Sequence, residues 1–516
     1  MHPPTIPPAG PLRRAAAAGL LLLASALATG AASAQTAEER TARYFESIRE
    51  RPPLLTAFLR EMPKGGDLHS HLSGAVYAES FLRWAAEDSA CIDVRALTYV
   101  GPPCRPAGDT LVRAAQAVAN SALYGRLVDA WSMRNWNPAR DKSGHDQFFD
   151  TFGRYGATDR RTGDMLAEAA SRAAGGRVSY LELMLTPDGS AARNLGAQVG
   201  WNDDFDRMRE ALLAAGLRGI VARARARLDS VEARRDTVLG CGTARPGPGC
   251  GVTVRWLYQV ARARPREQVF AQILMGFEMA TADPRVVGFN LVQPEDNPLA
   301  MGDFSLHMRM IDHLHRLYPN VRISLHAGEL APGLVPPEGL RFHIRESVEV
   351  GHASRIGHGV DVMHEDGATE LLRRMAERGV MVEIALTSND AILGVRGADH
   401  PLSAYLAAGV PVALATDDEG VARSEMTLEY LKAAREQGLD YRTLKAMARN
   451  SLQHSFVGGE SLWIDPRRFV PVASCAGGLD APRCRELAAR SPKARLQVDL
   501  ERAFARFEER WSQMPR

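Results

Sequence analysis

Short apolar stretches alternate with amphipathic stretches along most of the chain, between Asp67 and Asp417. The apolar stretches are rich in β-branched residues, which is typical of buried strands. We therefore predict eight strands, at Asp67–His71, Val178–Leu185, Val252–Val260, Val286–Val292, Arg322–His326, Arg355–Gly357, Met381–Ala385 and Val410–Thr416.

The stretches between these strands repeat their apolar residues every three or four positions, which predicts helices with one buried face. The clearest examples are Phe205–Leu213, Arg266–Ala280, Ser305–Leu317, Gly367–Glu377 and His400–Ala408. Strands that alternate with helices pair in parallel, and eight such units predict a closed (β/α)₈ barrel. An open doubly wound sheet is the alternative, but it does not easily bring its first, fifth and eighth strands together.

The remaining segments are predicted to be accessory to the barrel. We expect a signal peptide at 1–34, a helical N-terminal arm at 35–66, the barrel at 67–455 and a C-terminal extension at 456–516. An insertion at about 85–176 is too long for one connection and is predicted to form a helical lobe over the barrel mouth.

The first 34 residues are typical of an export signal rather than of a folded element. Arg13 and Arg14 precede an apolar stretch, and small residues allow cleavage after Ala34. An uncleaved membrane anchor is the alternative, although the apolar stretch is short for a membrane span. We expect a secreted or periplasmic protein that has no membrane contact after cleavage.

The six cysteines agree with an oxidising compartment. Six cysteines allow 15 connectivities, and the simplest of them pairs neighbours along the chain. Those pairs are Cys91 with Cys104, Cys241 with Cys250, and Cys475 with Cys484. A cysteine metal site is the competing interpretation, but the chain has no C-x-x-C spacing.

The net charge of the chain argues against a nucleic-acid partner. Removal of the signal takes the basic count from 63 to 61, equal to the 61 acidic residues. A neutral chain without a long basic block has no electrostatic footprint for a polyanion. The expected partner is a small molecule; the oligomeric state stays open, with a homodimer as one option.

Side chains suited to metal binding fall at the carboxyl ends of the first, fifth and eighth predicted strands. His69 and His71 are two residues apart on a strand and therefore face the same side. His326 ends the fifth strand, and the adjacent carboxylates of Asp417 and Asp418 follow the eighth. Three imidazoles and one carboxylate suit a divalent transition metal such as zinc.

Two further acid-base residues accompany these ligands. Glu329 follows His326 by three positions, and His358 lies between two glycines just after the sixth strand. Each residue alone has an ordinary alternative, such as a core histidine, a surface pair or a helix cap. Together, in this order and on these strands, they indicate a metal that activates water, and hence a hydrolase.

Five motifs resemble those of the adenosine deaminase family of metal-dependent amidohydrolases. They are Met62-Pro63-Lys64, Ser324-Leu325-His326-Ala327-Gly328-Glu329, Arg355-Ile356-Gly357-His358-Gly359, Thr387-Ser388-Asn389 and Thr416-Asp417-Asp418. The resemblance covers roughly residues 62–451. The predicted signal and the cysteines are similar to those of the secreted, growth-factor-related branch of this family.

The resemblance implies hydrolytic deamination of adenosine or deoxyadenosine to inosine or deoxyinosine and ammonia. One zinc ion per chain would be held by His69, His71, His326 and Asp417. Glu329 would donate a proton to the purine ring nitrogen beside the reacting carbon, and His358 would take the proton from the metal-bound water. Asp418 would hydrogen-bond the imidazole side of the purine.

Two positions depart from the family pattern and leave the substrate open. Ser73 stands where family members often have an acidic residue that contacts the ribose. Gln293 stands where the family usually has a glycine whose N–H meets the purine. The alternatives are therefore a deaminase of adenine or another aminopurine, a non-catalytic secreted binding protein on the same barrel, and another metal hydrolase.

Overall fold

A computed structural model of the chain describes Met1 and residues 35–104, 110–155 and 159–515. Eight parallel strands form one sheet in which each strand pairs with the next along the chain. They are β1 (Gly65–His71), β2 (Val178–Leu185), β3 (Thr253–Ala261), β4 (Val286–Val292), β5 (Arg322–Ala327), β6 (Arg355–His358), β7 (Met381–Ile384) and β8 (Val412–Leu414).

The first strand and the segment after the last strand are joined through the backbone of Asp417. Its N–H donates to the carbonyl of His69 (2.9 Å), and its carbonyl accepts from the N–H of His71 (3.3 Å). These bonds join the two edges of the sheet, so the predicted (β/α)₈ barrel is confirmed and the open sheet is excluded.

The helices surround the barrel and fill the accessory segments. They span Ala37–Ile48, Pro52–Glu61, Ala78–Glu87, Ala114–Ala119, Ser121–Ala130, Gly144–Thr151, Thr162–Gly175, Ala191–Val199, Phe205–Ala214, Leu217–Leu239, Arg266–Ala282, Pro298–Gly302, Phe304–Leu317, His343–Glu349, Ala368–Arg378, Leu386–Leu393, Leu402–Ala407, Glu419–Ala422, Met426–Arg435, Tyr441–Gln453, Pro482–Arg490 and Pro492–Trp511. Most of their buried apolar residues belong to one large core, whereas the helix Pro482–Arg490 packs in a separate small cluster with Leu462 and Val498.

The eighth strand is shorter than the sequence predicts. It begins only after Pro411, because proline lacks the N–H that a ladder bond requires. Beyond Leu414, the N–H of Ala415 still donates to the carbonyl of Ile384 (2.9 Å). Asp417 then adopts a left-handed conformation (φ 56°), which turns the chain at the barrel mouth.

The predicted inserted segment contains a small sheet as well as helices. The sheet is antiparallel and is formed by Cys91–Asp93, Thr98–Val100 and Leu111–Arg113. Strands of three residues are too short to show an alternating pattern, so the sequence did not predict them. A second small antiparallel pair, Trp463–Asp465 with Val470–Pro471, lies in the C-terminal segment.

All three predicted disulfides are present, between Cys91 and Cys104, Cys241 and Cys250, and Cys475 and Cys484. The predicted signal peptide lies outside the described residues. Within the described part of the chain, no helix combines the length and the apolarity needed to cross a bilayer.

The first helices and the last helix pack together through an aromatic cluster. Phe58 is fully buried, and its ring lies 4.9 Å from the rings of both Phe507 and Trp511 and 5.9 Å from that of Tyr441. Burial of this size makes the cluster a main contact between the two ends of the described chain.

We expect Phe58→Ala to lower the free energy of unfolding by about 3–5 kcal/mol, because it removes a buried ring and leaves a cavity. Leu54→Ala is the matched control, since Leu54 lies on the same helix with 44% of its surface exposed. Urea unfolding of both variants measures the difference, and equal stabilities would contradict the role of the cluster.

Candidate metal centre

Four histidines and an aspartate converge at the carboxyl ends of the barrel strands. His69 and His71 come from β1, His326 from β5, His358 from the end of β6, and Asp417 follows β8. Except for His71, which is partly exposed, all are buried. The closed barrel thus brings together residues that lie almost 350 positions apart along the chain.

The ligand atoms of these residues point to a common centre. The carboxylate Oδ1 of Asp417 lies 3.4 Å from Nε2 of His69 and 3.3 Å from Nε2 of His71. Nε2 of His71 lies 3.2 Å from Nε2 of His326. Two overlapping groups could hold a metal ion: His69, His326, His358 and Asp417 form one, and His71, Asp417 and Asp418 form the other.

The outer nitrogen of each of the three predicted histidine ligands meets an oxygen acceptor. Nδ1 of His69 lies 2.7 Å from Oε2 of Glu383. Nδ1 of His71 lies 3.1 Å from the side-chain oxygen of Gln259, and Nδ1 of His326 lies 2.9 Å from that of Asn290. Each Nδ1 therefore carries the proton, and each Nε2 lone pair faces the centre.

The carboxylates around the centre are held by buried partners. Ser388 donates to Oδ2 of Asp417 (2.6 Å), which leaves Oδ1 turned toward the imidazoles. Arg355 donates to Oε1 of Glu383 (2.5 Å) and also pairs with Glu182 (2.7 Å). Burial acts to raise the pKa of Glu383, but Arg355 and His69 outweigh it and lower that pKa, so the carboxylate is ionised.

This arrangement fits a metal ion. Nε2 of His69 is buried and has no hydrogen-bond partner among the described residues, which is costly unless a ligand meets it. Imidazole nitrogens combined with a carboxylate suit a divalent transition metal. The donor set, its orientation and the unpartnered atom together make this a candidate metal site.

A cavity of about 370 Å³ opens beside the centre. It is lined by the predicted substrate residues Ser73, Gln293 and Asp418 and by the predicted catalytic residue Glu329, together with an aromatic face from the inserted segment. The lining residues are His71, Ser73, Phe148, Phe149, Phe152, Gln259, Val292, Gln293, Pro294, His326, Glu329, Asp417 and Asp418. The centre and the cavity therefore share one mouth.

Gln293 has a backbone conformation that ordinarily favours glycine (φ 84°). Its carbonyl accepts a hydrogen bond from Nε of Arg262 (2.9 Å), and its side-chain oxygen accepts from the N–H of Ala263 (3.0 Å). These two contacts hold the strained backbone and tie the amide of the side chain to the end of β3.

Glu295 holds the loop that carries Glu329. Its carboxylate accepts from the N–H groups of Gly328 (3.1 Å) and Glu329 (2.8 Å), and it lies 2.5 Å from Nδ1 of His343. Burial acts to raise the pKa of Glu295, but the Arg262 guanidinium and His343 hold that pKa at about 2. Glu329 itself is buried, and burial together with the nearby Asp417 raises its pKa well above its usual range.

Sequence reasoning missed the residues that support the ligands, namely Gln259, Arg262, Asn290, Glu295, His343 and Glu383. A signal for three of them was present. Gln259, Asn290 and Glu383 are polar residues inside otherwise apolar strands, and a buried polar side chain requires a partner. The partner of each residue depends on the register between strands that are distant in sequence. The pattern of apolar and polar residues does not give that register.

A family model described as adenosine deaminase matches residues 132–461 of the chain. The chain belongs to the adenosine deaminase family. His69 and His71 precede the matched stretch, and β1 brings them to the same centre. The resemblance is therefore confirmed for the family, while its secreted, growth-factor-related branch stays a prediction.

Characterised relatives match over part of their length. The chain is 30% identical over 181 residues to an adenine deaminase of Rhizobium leguminosarum bv. trifolii (strain WSM2304), which is 35% of this chain and 51% of that protein. It is 36% identical over 149 residues to an adenosine deaminase of Serratia proteamaculans (strain 568), or 28% of this chain and 42% of that protein. The chain thus spans about half the length of the curated relatives it matches.

Solved structures share the fold. An adenine deaminase from Arthrobacter aurescens has a TM-score of 0.52 at 18% identity, covering 86% of this chain and 99% of that one. An amidohydrolase from Burkholderia ambifaria with bound Zn has a TM-score of 0.51 at 17% identity, covering 87% and 95%. At such identities the likeness supports the barrel architecture alone.

We expect His71→Ala to lose bound metal, because it removes one inward-facing Nε2 from the centre. Metal analysis of the purified variant by mass spectrometry measures the loss. His364→Ala is the control, since His364 is exposed and lies outside the cavity lining. Full metal occupancy in His71→Ala would contradict its role as a ligand.

Glu295 predicts an acid-sensitive step in stability. Its pKa is lowered in the folded state, so its stabilising effect is complete above the unfolded value of about 4.3 and is lost as the pH falls toward 2. The wild type should therefore lose more stability than Glu295→Gln between pH 5 and pH 3 in urea unfolding. Glu338→Gln, at an exposed glutamate, should behave like the wild type.

Proposed function

We propose that the chain is a hydrolase that deaminates adenosine or deoxyadenosine to inosine or deoxyinosine and ammonia, with one zinc ion per chain. The observation that carries this proposal is the oriented cluster of imidazoles and carboxylate, which opens onto a cavity that also contains a buried glutamate of raised pKa. Membership of the family supports it.

His69, His71, His326 and Asp417 would hold the zinc ion. A zinc ion in such a site lowers the pKa of bound water toward neutrality and so supplies a nucleophile. Glu383, Gln259 and Asn290 accept from Nδ1 of the three histidines, so each neutral ring turns the lone pair of Nε2 toward the centre. Ser388 keeps one oxygen of Asp417 turned inward.

Glu329 is the proposed proton donor. Its raised pKa favours the protonated carboxyl group, which can give a proton to a ring nitrogen of the purine. Glu295 holds the backbone of Glu329 and thereby fixes the direction of the donor. Negative charge that would otherwise build up on the ring is neutralised by this proton.

His358 and Asp418 complete the proposed site. Nε2 of His358 is buried, unpartnered among the described residues, and 3.5 Å from Oε1 of Glu329, so it faces the reacting centre. Oδ1 of Asp418 is also buried without a partner and lines the cavity, where it can hydrogen-bond the purine. Ser73 and Gln293 line the remaining polar wall.

The shape and charge of the cavity support an uncharged nucleoside. Three phenylalanines, Phe148, Phe149 and Phe152, offer an apolar face for a planar ring. No lysine or arginine belongs to the described lining, and several carboxylates do, so a phosphate group would meet no basic side chain there. The volume leaves room for a sugar beside the base.

Adenine is the second candidate substrate. A relative named adenine deaminase supports it, and the short side chain of Ser73 offers a sugar little to bind. Comparison of kcat/KM for adenosine, deoxyadenosine and adenine separates the two candidates.

We further propose that the protein is exported to the periplasm or secreted, with cleavage after Ala34. Three disulfides support an oxidising compartment. N-terminal sequencing of the mature protein tests the cleavage site.

An ultraviolet assay of the purified protein with adenosine tests the reaction. We expect adenosine absorbance to give way to that of inosine, with loss of turnover in a strong chelator and recovery on addition of zinc. Turnover that persists in the metal-free protein would contradict the proposed chemistry, and a zinc-loaded protein that is inactive on all aminopurines would contradict the function.

We expect Glu329→Gln to keep its metal and to lose about 10²–10⁴-fold in kcat, because the amide has the same shape but cannot donate the proton. Glu338→Gln provides the control for the same chemical change at an exposed position. An unchanged kcat in Glu329→Gln would remove this residue as the donor.

A further inference from the structure

A line of three buried hydrogen bonds leads from the helix Leu402–Ala407 to His358. The N–H of Leu402 lies 3.2 Å from Nδ1 of His400. Nε2 of His400 lies 3.1 Å from the side-chain oxygen of Asn389, and the amide nitrogen of Asn389 lies 3.0 Å from Nδ1 of His358. His400, Asn389 and His358 are each at most 1% exposed, so water does not compete for these bonds.

The direction of donation along this line is set at its outer end. A backbone N–H can only donate, so Nδ1 of His400 accepts from Leu402. Burial lowers the pKa of His400 to about 4, so the neutral ring carries its proton on Nε2 and donates to Asn389. The oxygen of Asn389 is thereby engaged, and its NH₂ group faces His358.

We infer that Asn389, oriented by His400, holds His358 in the neutral tautomer that carries its proton on Nε2, so that His358 acts as a hydrogen-bond donor toward the reacting centre. The reason is that Nδ1 of His358 must accept from the Asn389 amide, which leaves Nε2 to carry the ring proton. Asn389 and His400 are positioning residues in this scheme. The tautomer stands on the hydrogen bonds alone, and its effect on turnover rests on the proposed deaminase function.

The hydrogen-bond partner at Nδ1 distinguishes His358 from the three proposed histidine ligands. His69, His71 and His326 each meet an oxygen acceptor at Nδ1, which leaves their Nε2 lone pairs free. His358 meets an amide donor at Nδ1, so its Nε2 has no lone pair to offer a metal. This separates His358 from the ligands even though its ligand atom lies within 4.8 Å of theirs.

The inference also differs from the role that the family resemblance implies for His358. A ring nitrogen that already carries a proton cannot take another one from water. While the line of hydrogen bonds is intact, Nε2 of His358 can stabilise negative charge on a nearby oxygen by donating to it. Any proton that leaves the water must go to another group.

Nuclear magnetic resonance of zinc-loaded protein labelled with ¹⁵N-histidine tests the tautomer directly. Protonated and unprotonated ring nitrogens have well-separated chemical shifts, and His358→Phe identifies the signals of His358 by their loss. We expect the proton on Nε2, and a proton on Nδ1 would overturn the inference. The measurement needs no substrate. A protein that deaminates no purine would therefore contradict the proposed function, but the tautomer of His358 could still be measured in it.

Asn389→Asp tests the effect on turnover with almost no change of shape. A carboxylate accepts from both rings, so the proton of His358 should move to Nδ1 and kcat should fall by about 10²-fold or more, with KM and zinc content little changed. Gln437→Glu is the matched control, since it makes the same amide-to-acid change where Gln437 donates to the carbonyl of Gly397, away from the cavity. An unchanged kcat in Asn389→Asp would overturn the assigned role of His358.

Discussion

Closure of the barrel and assembly of the metal centre depend on the same residue. The backbone of Asp417 joins β1 to the end of β8, and its side chain lies among the imidazoles of His69 and His71. The left-handed conformation of Asp417 is one that aspartate tolerates better than most residues. The carboxylate therefore reaches the centre only when the sheet is closed. Loss of the backbone hydrogen bonds between Asp417 and β1 would remove a proposed ligand from the centre.

The second constraint is that buried charged side chains need partners. Ion pairs between side chains on different strands supply these partners. Arg355 lies between Glu182 of β2 and Glu383 of β7, and Glu383 in turn holds His69 of β1. Removing one member of such a set would leave an unpaired charge in the interior, which is strongly destabilising. The orientation of His69, the first proposed metal ligand, is thus tied to a set of buried charges that spans β2, β6 and β7.

Much of this architecture could be predicted, because local patterns contain it. The bounds of β2 and β4 coincide with the predicted strands, since largely apolar runs mark strands that are buried on both faces. The convergence of the proposed ligands was also predictable, because His69 and His71 share one strand face and the other proposed ligands end apolar runs. Asn389 was quoted only as part of a motif, and His400 only as the start of a helix. Their pairing with His358 depends on how the connection between β7 and β8 packs against the end of β6, which no periodicity expresses.

The three disulfides have a consequence for how the protein matures. They join cysteines only 13, 9 and 9 positions apart, and they use all six cysteines of the chain. None of them links one barrel strand to another, so oxidation is not needed to choose the topology of the sheet. The topology of the barrel is in this sense uncoupled from the redox state of its surroundings, and each disulfide restricts the conformational freedom of one short segment.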